Sequence, residues 1–69
     1  MLTYVKSYRT YAGDIRTSTV TVEPCDGKVL VVSRDGNRAP SLARRTSADP
    51  GRLAAELAED LITDGYTAA

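Results

Sequence analysis

The sequence predicts an α+β fold: a small antiparallel β-meander of three to four strands, with one C-terminal α-helix packed on one face (β-β-β-(β)-α). Three observations carry this reading. Residues 2–9, 15–23 and 28–34 are rich in Val, Thr, Ile and Tyr and are bounded by glycine-containing turns, the signature of strands. Residues 50–64 carry the one long stripe of apolar residues at helical spacing. The connections between the strand-like runs are short, so sequence neighbours pair antiparallel.

In the first run, LTYVKSYR, Leu2, Tyr4, Lys6 and Tyr8 share one face, and Thr3, Val5, Ser7 and Arg9 the other. Gly13-Asp14 marks the turn that follows. The second run, IRTSTVTVE, sets Val20 and Val22 on one side with Arg16 and Ser18, and Thr17, Thr19 and Thr21 on the other with Ile15. A threonine ladder suits a solvated face, or one that meets something polar. Pro24-Cys25-Asp26-Gly27 reads as a tight turn.

The third run, KVLVVSR, is the most strand-like, and both of its faces are apolar: Leu30 and Val32 on one, Val29 and Val31 on the other. Such a strand is usually central and covered twice. One helix covers one side of a sheet, so the second face calls for a partner subunit, a ligand or a loop. Asp35-Gly36-Asn37-Arg38 repeats the turn chemistry. Residues 41–47 fit a short fourth strand less fully, with Leu42 the one sizeable apolar residue. Pro40 suits an edge, and Arg44 and Arg45 would keep that edge from pairing with another sheet.

The helix has Asp49 as its cap and Pro50 in the first turn, where a missing N–H costs nothing. Leu53, Ala54, Leu57, Ala58, Leu61 and Ile62 form the buried stripe, and Gly65 fits the left-handed stop. Arg52, Glu56, Glu59, Asp60, Thr63 and Asp64 fall on the outer face, with like charges four apart at Glu56/Asp60 and Asp60/Asp64. Residues 66–69 are expected to form a loose tail, with Tyr66 tucked against the core.

The 69 residues make one small domain, of a size at which folding is marginal without a staple. One cysteine, Cys25, excludes an internal disulfide, and the lack of histidine excludes the usual zinc sites. Oligomerisation is then the expected extra support. An unpaired cysteine, no apolar run of membrane-spanning length and no signal-peptide pattern lead to an expected cytoplasmic location. Seven arginines among nine basic residues, with abundant alanine, suggest a GC-rich bacterial or phage genome.

Net charge is zero but unevenly spread. Residues 1–48 hold eight basic against four acidic residues, a net of +4; residues 49–69 hold Arg52 against five acids, a net of −4. Two solvated faces explain this plainly; a charged partner explains it as well.

Catalysis is not expected. Without histidine there is no Ser–His or Cys–His nucleophile, and Asp26 beside Cys25 disfavours a thiolate. Asp14, Asp26 and Asp35 each adjoin a glycine, which turn formation explains. No phosphate-binding glycine motif occurs, and no cofactor or metal is expected.

Two binding readings remain. In the first, the chain is a small protein-interaction or regulatory module, self-associating through the sheet face the helix leaves open. Its interaction face is then drawn from Leu30 and Val32 or from Val29 and Val31. In the alternative, it binds nucleic acid through a basic sheet (Lys6, Arg16, Lys28, Arg34, Arg38, Arg44 and Arg45) with Tyr4 and Tyr8 as stacking platforms. The order of elements is similar to sheet-plus-helix nucleic-acid binders such as the dimeric single-strand-binding coactivator fold and the three-stranded readers of phage-type integrases. That likeness is one of topology and rests on no motif.

Overall fold

The computed structural model describes residues 2–36 and 38–69. Asn37, part of the expected Asp35–Arg38 turn, lies outside them. Four strands run in order as a meander: β1 (Leu2–Arg9), β2 (Ile15–Cys25), β3 (Lys28–Asp35) and β4 (Ser41–Thr46). Helix α1 (Pro50–Thr63) follows, and then a two-residue strand, β5 (Thr67–Ala68). All pairings are antiparallel, in the order β4-β3-β2-β1-β5. The α+β meander with one helix is as the sequence predicts, and residues 41–46 do form the fourth strand.

Two boundaries differ from expectation. β2 runs on through Pro24 and Cys25, so the turn shrinks to Asp26-Gly27 with Gly27 at φ +66°. Pro24 is tolerated there because it lies beyond Val22, the partner of Leu2, where β2 borders β3 alone. Residues 66–69 are not a loose tail. Thr67 and Ala68 pair with Val5 and Tyr4, and the Ala69 N–H donates to the Thr3 carbonyl at 2.9 Å.

The register assigns the faces, since directly opposed residues share a side. Tyr4 opposes Val20, Val20 opposes Ser33, Val22 opposes Val31 and Pro24 opposes Val29. This side is the one α1 covers: Val20, Val22, Val29 and Ala54 form the core, with Val31, Leu53, Leu57, Leu61 and Tyr66 packed on it. Val22 and Val29 are the largest fully buried side chains.

Both helix ends are built as the chain's chemistry dictates. Asp49 Oδ1 accepts from the Arg52 N–H at 3.2 Å. At the other end Gly65 takes φ +97°, the Gly65 N–H donates to the Ile62 carbonyl, and the Tyr66 N–H donates to the Leu61 carbonyl. These are the paired bonds of a Schellman stop, and the Tyr66 and Leu61 side chains both pack on the core beside it. Lys6 Nζ donates to the Asp64 carbonyl at 2.6 Å, placing a cation at the negative end of the helix.

The helix is shorter than the sheet. Fourteen helical residues span about 21 Å, whereas the eleven of β2 span roughly 36 Å. The sheet beyond the Lys6–Ser18 row therefore has no helix above it. Among the described residues, no helix is long and apolar enough to cross a membrane.

Candidate functional site

The described residues leave two surfaces uncovered: the side of the sheet opposite α1, and the part of the helix side that α1 does not reach. Their residues can be read from the register.

On the open side, β2 contributes Thr17, Thr19 and Thr21 at the middle of the sheet. Cross-strand hydroxyl pairs extend this ladder to β1, with Thr3–Thr21 and Ser7–Thr17 each at 3.5 Å. On the other flank Thr19 opposes Arg34, and Thr21 opposes Val32, which opposes Leu42. Two shallow recesses follow the ladder. One, of about 680 Å³, is lined by Ile15, Arg16, Thr17, Thr19, Gly36 and Arg38. The other, of about 360 Å³, is lined by Thr19, Thr21, Val32, Arg34 and Pro40. Three guanidinium-bearing side chains thus border a row of threonine hydroxyls. Arg44 opposes Leu30 farther along the same side, and Lys28 opposes Cys25 at its end. Among the described residues the one ion pair is Arg52–Glu56 on the helix, at 3.5 Å and well exposed, so none of these sheet cations pairs with an acid.

The doubly apolar strand β3 is resolved into its two halves. Val29 and Val31 face the helix, Val29 fully buried, and so are not an exposed interaction face. Leu30 and Val32 face the open side, where Leu42, 56% exposed, joins them in a small apolar triangle.

The expected stacking pair does not form. Tyr4 is 6% exposed and lies on the helix side, so it offers no ring to a ligand. Nor do the seven basic residues share a face. Lys6, Arg16 and Arg45 oppose helix-side residues, whereas Lys28, Arg34 and Arg44 oppose open-side ones. Arg16 nevertheless extends to the end of the sheet, where it lines the ladder recess with Arg38. Lys6 is engaged in capping the helix and lies 5.7 Å from the centre of the Tyr66 ring. Arg45 is exposed on β4, opposite Val29, remote from the threonine ladder.

Beyond the helix end is a third recess, of about 600 Å³, lined by Lys6, Tyr8, Ser18, Ser33, Arg34, Asp35, Arg38, Ala39, Ser41 and Tyr66. Tyr8 donates its phenolic hydrogen to Asp35 Oδ1, and the hydroxyls of Ser18 and Tyr66 are 2.8 Å apart. The Asp35 hydrogen bond, with partial desolvation and the carboxylate charge behind it, raises the Tyr8 phenol above its usual pKa; Arg16 and Arg38 act weakly against this. The sequence marks Asp35 only as a turn residue and Tyr66 only as a core contact, and it marks none of the three serines of this recess as a site residue. Ser18 and Tyr66 are 48 residues apart and meet only through the Schellman stop.

Among the described residues no group of three or more His, Cys, Asp or Glu side chains is placed to hold a metal. Cys25 is exposed at the end of β2. No family model, curated protein or solved structure matches the chain.

Proposed function

We propose that the protein is a non-enzymatic module that holds nucleic acid by its phosphate backbone along the open side of the sheet. The observation that supports this best is the row Thr17-Thr19-Thr21 bordered by Arg16, Arg34 and Arg38. Phosphate oxygens are held by guanidinium groups and hydroxyl donors together, and such contacts position the ligand without reading its sequence. The zero net charge is no obstacle, because most of the acid lies away from the threonine row, with Glu23 the one acid of β2 on that side. The exposed acids Glu56, Glu59 and Asp60 belong to α1, which lies on the other side of the sheet.

The test is fluorescence anisotropy with a labelled oligonucleotide between about 50 and 200 mM salt. Affinity should fall steeply with salt, and Arg34→Ala should weaken binding to every sequence and flatten the log–log slope by about 0.7. No binding at the lowest salt removes this reading.

Self-association is the second reading, favoured by exposed Leu42 beside the half-buried Leu30 and Val32. It ranks lower because half of the apolar surface of β3 is already used in the core. The middle of the open side is threonine, whereas the centre of a protein interface is more apolar than its surroundings.

A further inference from the structure

The recess beyond the helix end lies on the helix side of the sheet, yet Arg34 and Arg38 each line both it and a recess of the threonine ladder. Those shared guanidinium groups join the two sides of the sheet at one end. A strand of nucleic acid lying along the threonines reaches Arg38, and the next surface it meets is the recess.

What the recess offers is unlike the track. Its rings are Tyr8 and Tyr66, each half-buried; Tyr8 donates from its hydroxyl to Asp35, and the Tyr66 hydroxyl is hydrogen-bonded to that of Ser18. Asp35 accepts from Tyr8 through Oδ1, which leaves Oδ2 free of protein donors among the described residues. Ser33 and Ser41 are directly opposed, and among the described residues their hydroxyls have no protein partner. The Tyr8 ring, a fixed planar acceptor and loose hydroxyls suit a flat heterocycle with hydrogen-bond donors on its edge. Unstacked bases of single strands are recognised by such contacts, stacked on tyrosine and bonded along their pairing edge. The volume of about 600 Å³ lies within the range of small-molecule sites.

We infer that this recess seats one unstacked nucleobase of a single strand whose backbone lies on the threonine track, and that Asp35 selects guanine. Guanine presents two adjacent N–H donors to a carboxylate, one for Oδ2 and one for the second lone pair of Oδ1, beside the Tyr8 bond. Thymine presents one, flanked by carbonyl oxygens that the carboxylate repels. The inference rests on the backbone reading above, and Tyr8 is the ring offered for stacking, since Tyr66 packs on the core and carries the Lys6 ammonium over its ring.

The experiment compares thymidine tracts of about twelve nucleotides in which one internal position is dG, dA, dC or dT. With the wild-type chain, the tract carrying dG should bind about five- to tenfold more tightly than the all-thymidine tract, the discrimination of one bidentate contact. Asp35→Asn should abolish that preference while leaving the salt slope unchanged, because it removes an acceptor and touches no phosphate contact. Salt-dependent binding with no base preference, or a preference that survives Asp35→Asn in a folded variant, overturns the base seat and leaves the track standing. No binding by any tract overturns both.

A second measurement needs no variant: titration of the wild-type chain with guanosine monophosphate, followed by nuclear magnetic resonance. Shifts centred on Tyr8, Ser18, Asp35 and Tyr66 support the seat; shifts centred elsewhere, or none, overturn it.

Discussion

Gly65 shows how much a single residue carries here. It holds φ +97°, closes the helix, and a Cβ at this position would stand 3.5 Å from Lys6 Cε. Gly65→Ala should cost about 1 to 2 kcal/mol, from left-handed strain. It should appear as a lower denaturation midpoint with an unchanged slope. Tyr8 yields a pH prediction of known sign. Its phenol is raised in the folded state by the bond to Asp35, so the folded chain binds that proton more tightly than the unfolded one. The resulting stabilisation is whole below the ordinary phenol pKa of about 10 and is lost as the pH rises through the folded value. An ultraviolet titration of tyrosine absorbance should show one phenol ionising late, and Asp35→Asn should bring it back among the others. Single residues were unevenly legible in the sequence. Asp49 and Gly65 declare their roles because capping chemistry is local. Lys6 looks like a surface cation and is in fact a helix cap, because its partner Asp64 is 58 residues away.

Among the elements, β1 to β4 and α1 could be read from alternation, turn residues and helical spacing, since each signal lies within one short window. β5 could not. Thr67 and Ala68 have no strand pattern of their own and pair only because the Schellman stop delivers them to the edge of β1. Removing residues 67–69 should cost roughly 1 to 2 kcal/mol, the net worth of a few partly exposed ladder bonds. Amide exchange should then quicken in the first half of β1 while the β2–β3 pairing keeps its protection. If the β2–β3 amides quicken equally, β5 is part of the global core and this account of it is wrong. Which side of β3 the helix would take was also hidden. Val29/Val31 and Leu30/Val32 are nearly equivalent as a pattern, and the tie is broken by the valines across the sheet. Val22 and Pro24 oppose the first pair on the same side as Val20, whereas Thr21 and Glu23 oppose the second.

At the scale of the molecule, the mismatch between a long sheet and a short helix sets the shape. The extents are 43 × 23 × 17 Å, and the radius of gyration of 12.9 Å exceeds the ~11 Å expected of a compact chain of this length. The helix acids lie on one side of a thin slab and the arginine-bordered threonines on the other, while the basic residues of the sheet are divided between the two. Such a molecule should associate with itself weakly, if at all, through two like-charged open sides. Sedimentation velocity over a wide concentration range should therefore report a monomer at moderate salt. A stable dimer that Leu42→Glu dissolves would instead favour the second reading, with Leu30, Val32 and Leu42 at its centre. The site was less legible than the fold because it joins residues from both ends of the chain, and period-two alternation sorts faces without saying which strands adjoin.

The pairing of β5 with β1 also bears on the order of folding. The meander closes through hairpins, each joining neighbours in sequence, whereas the Thr67–Val5 contact spans 62 residues. Local hairpins pay little loop entropy, and this last edge pays the most. The four-strand sheet should therefore assemble first and acquire its helix, with the fifth strand zipping on after the Schellman turn has formed. Until that step the edge of β1 around Tyr4 and Val5 is bare. A chain slowed there would present an unpaired strand edge to its neighbours, the usual starting point for misassembly.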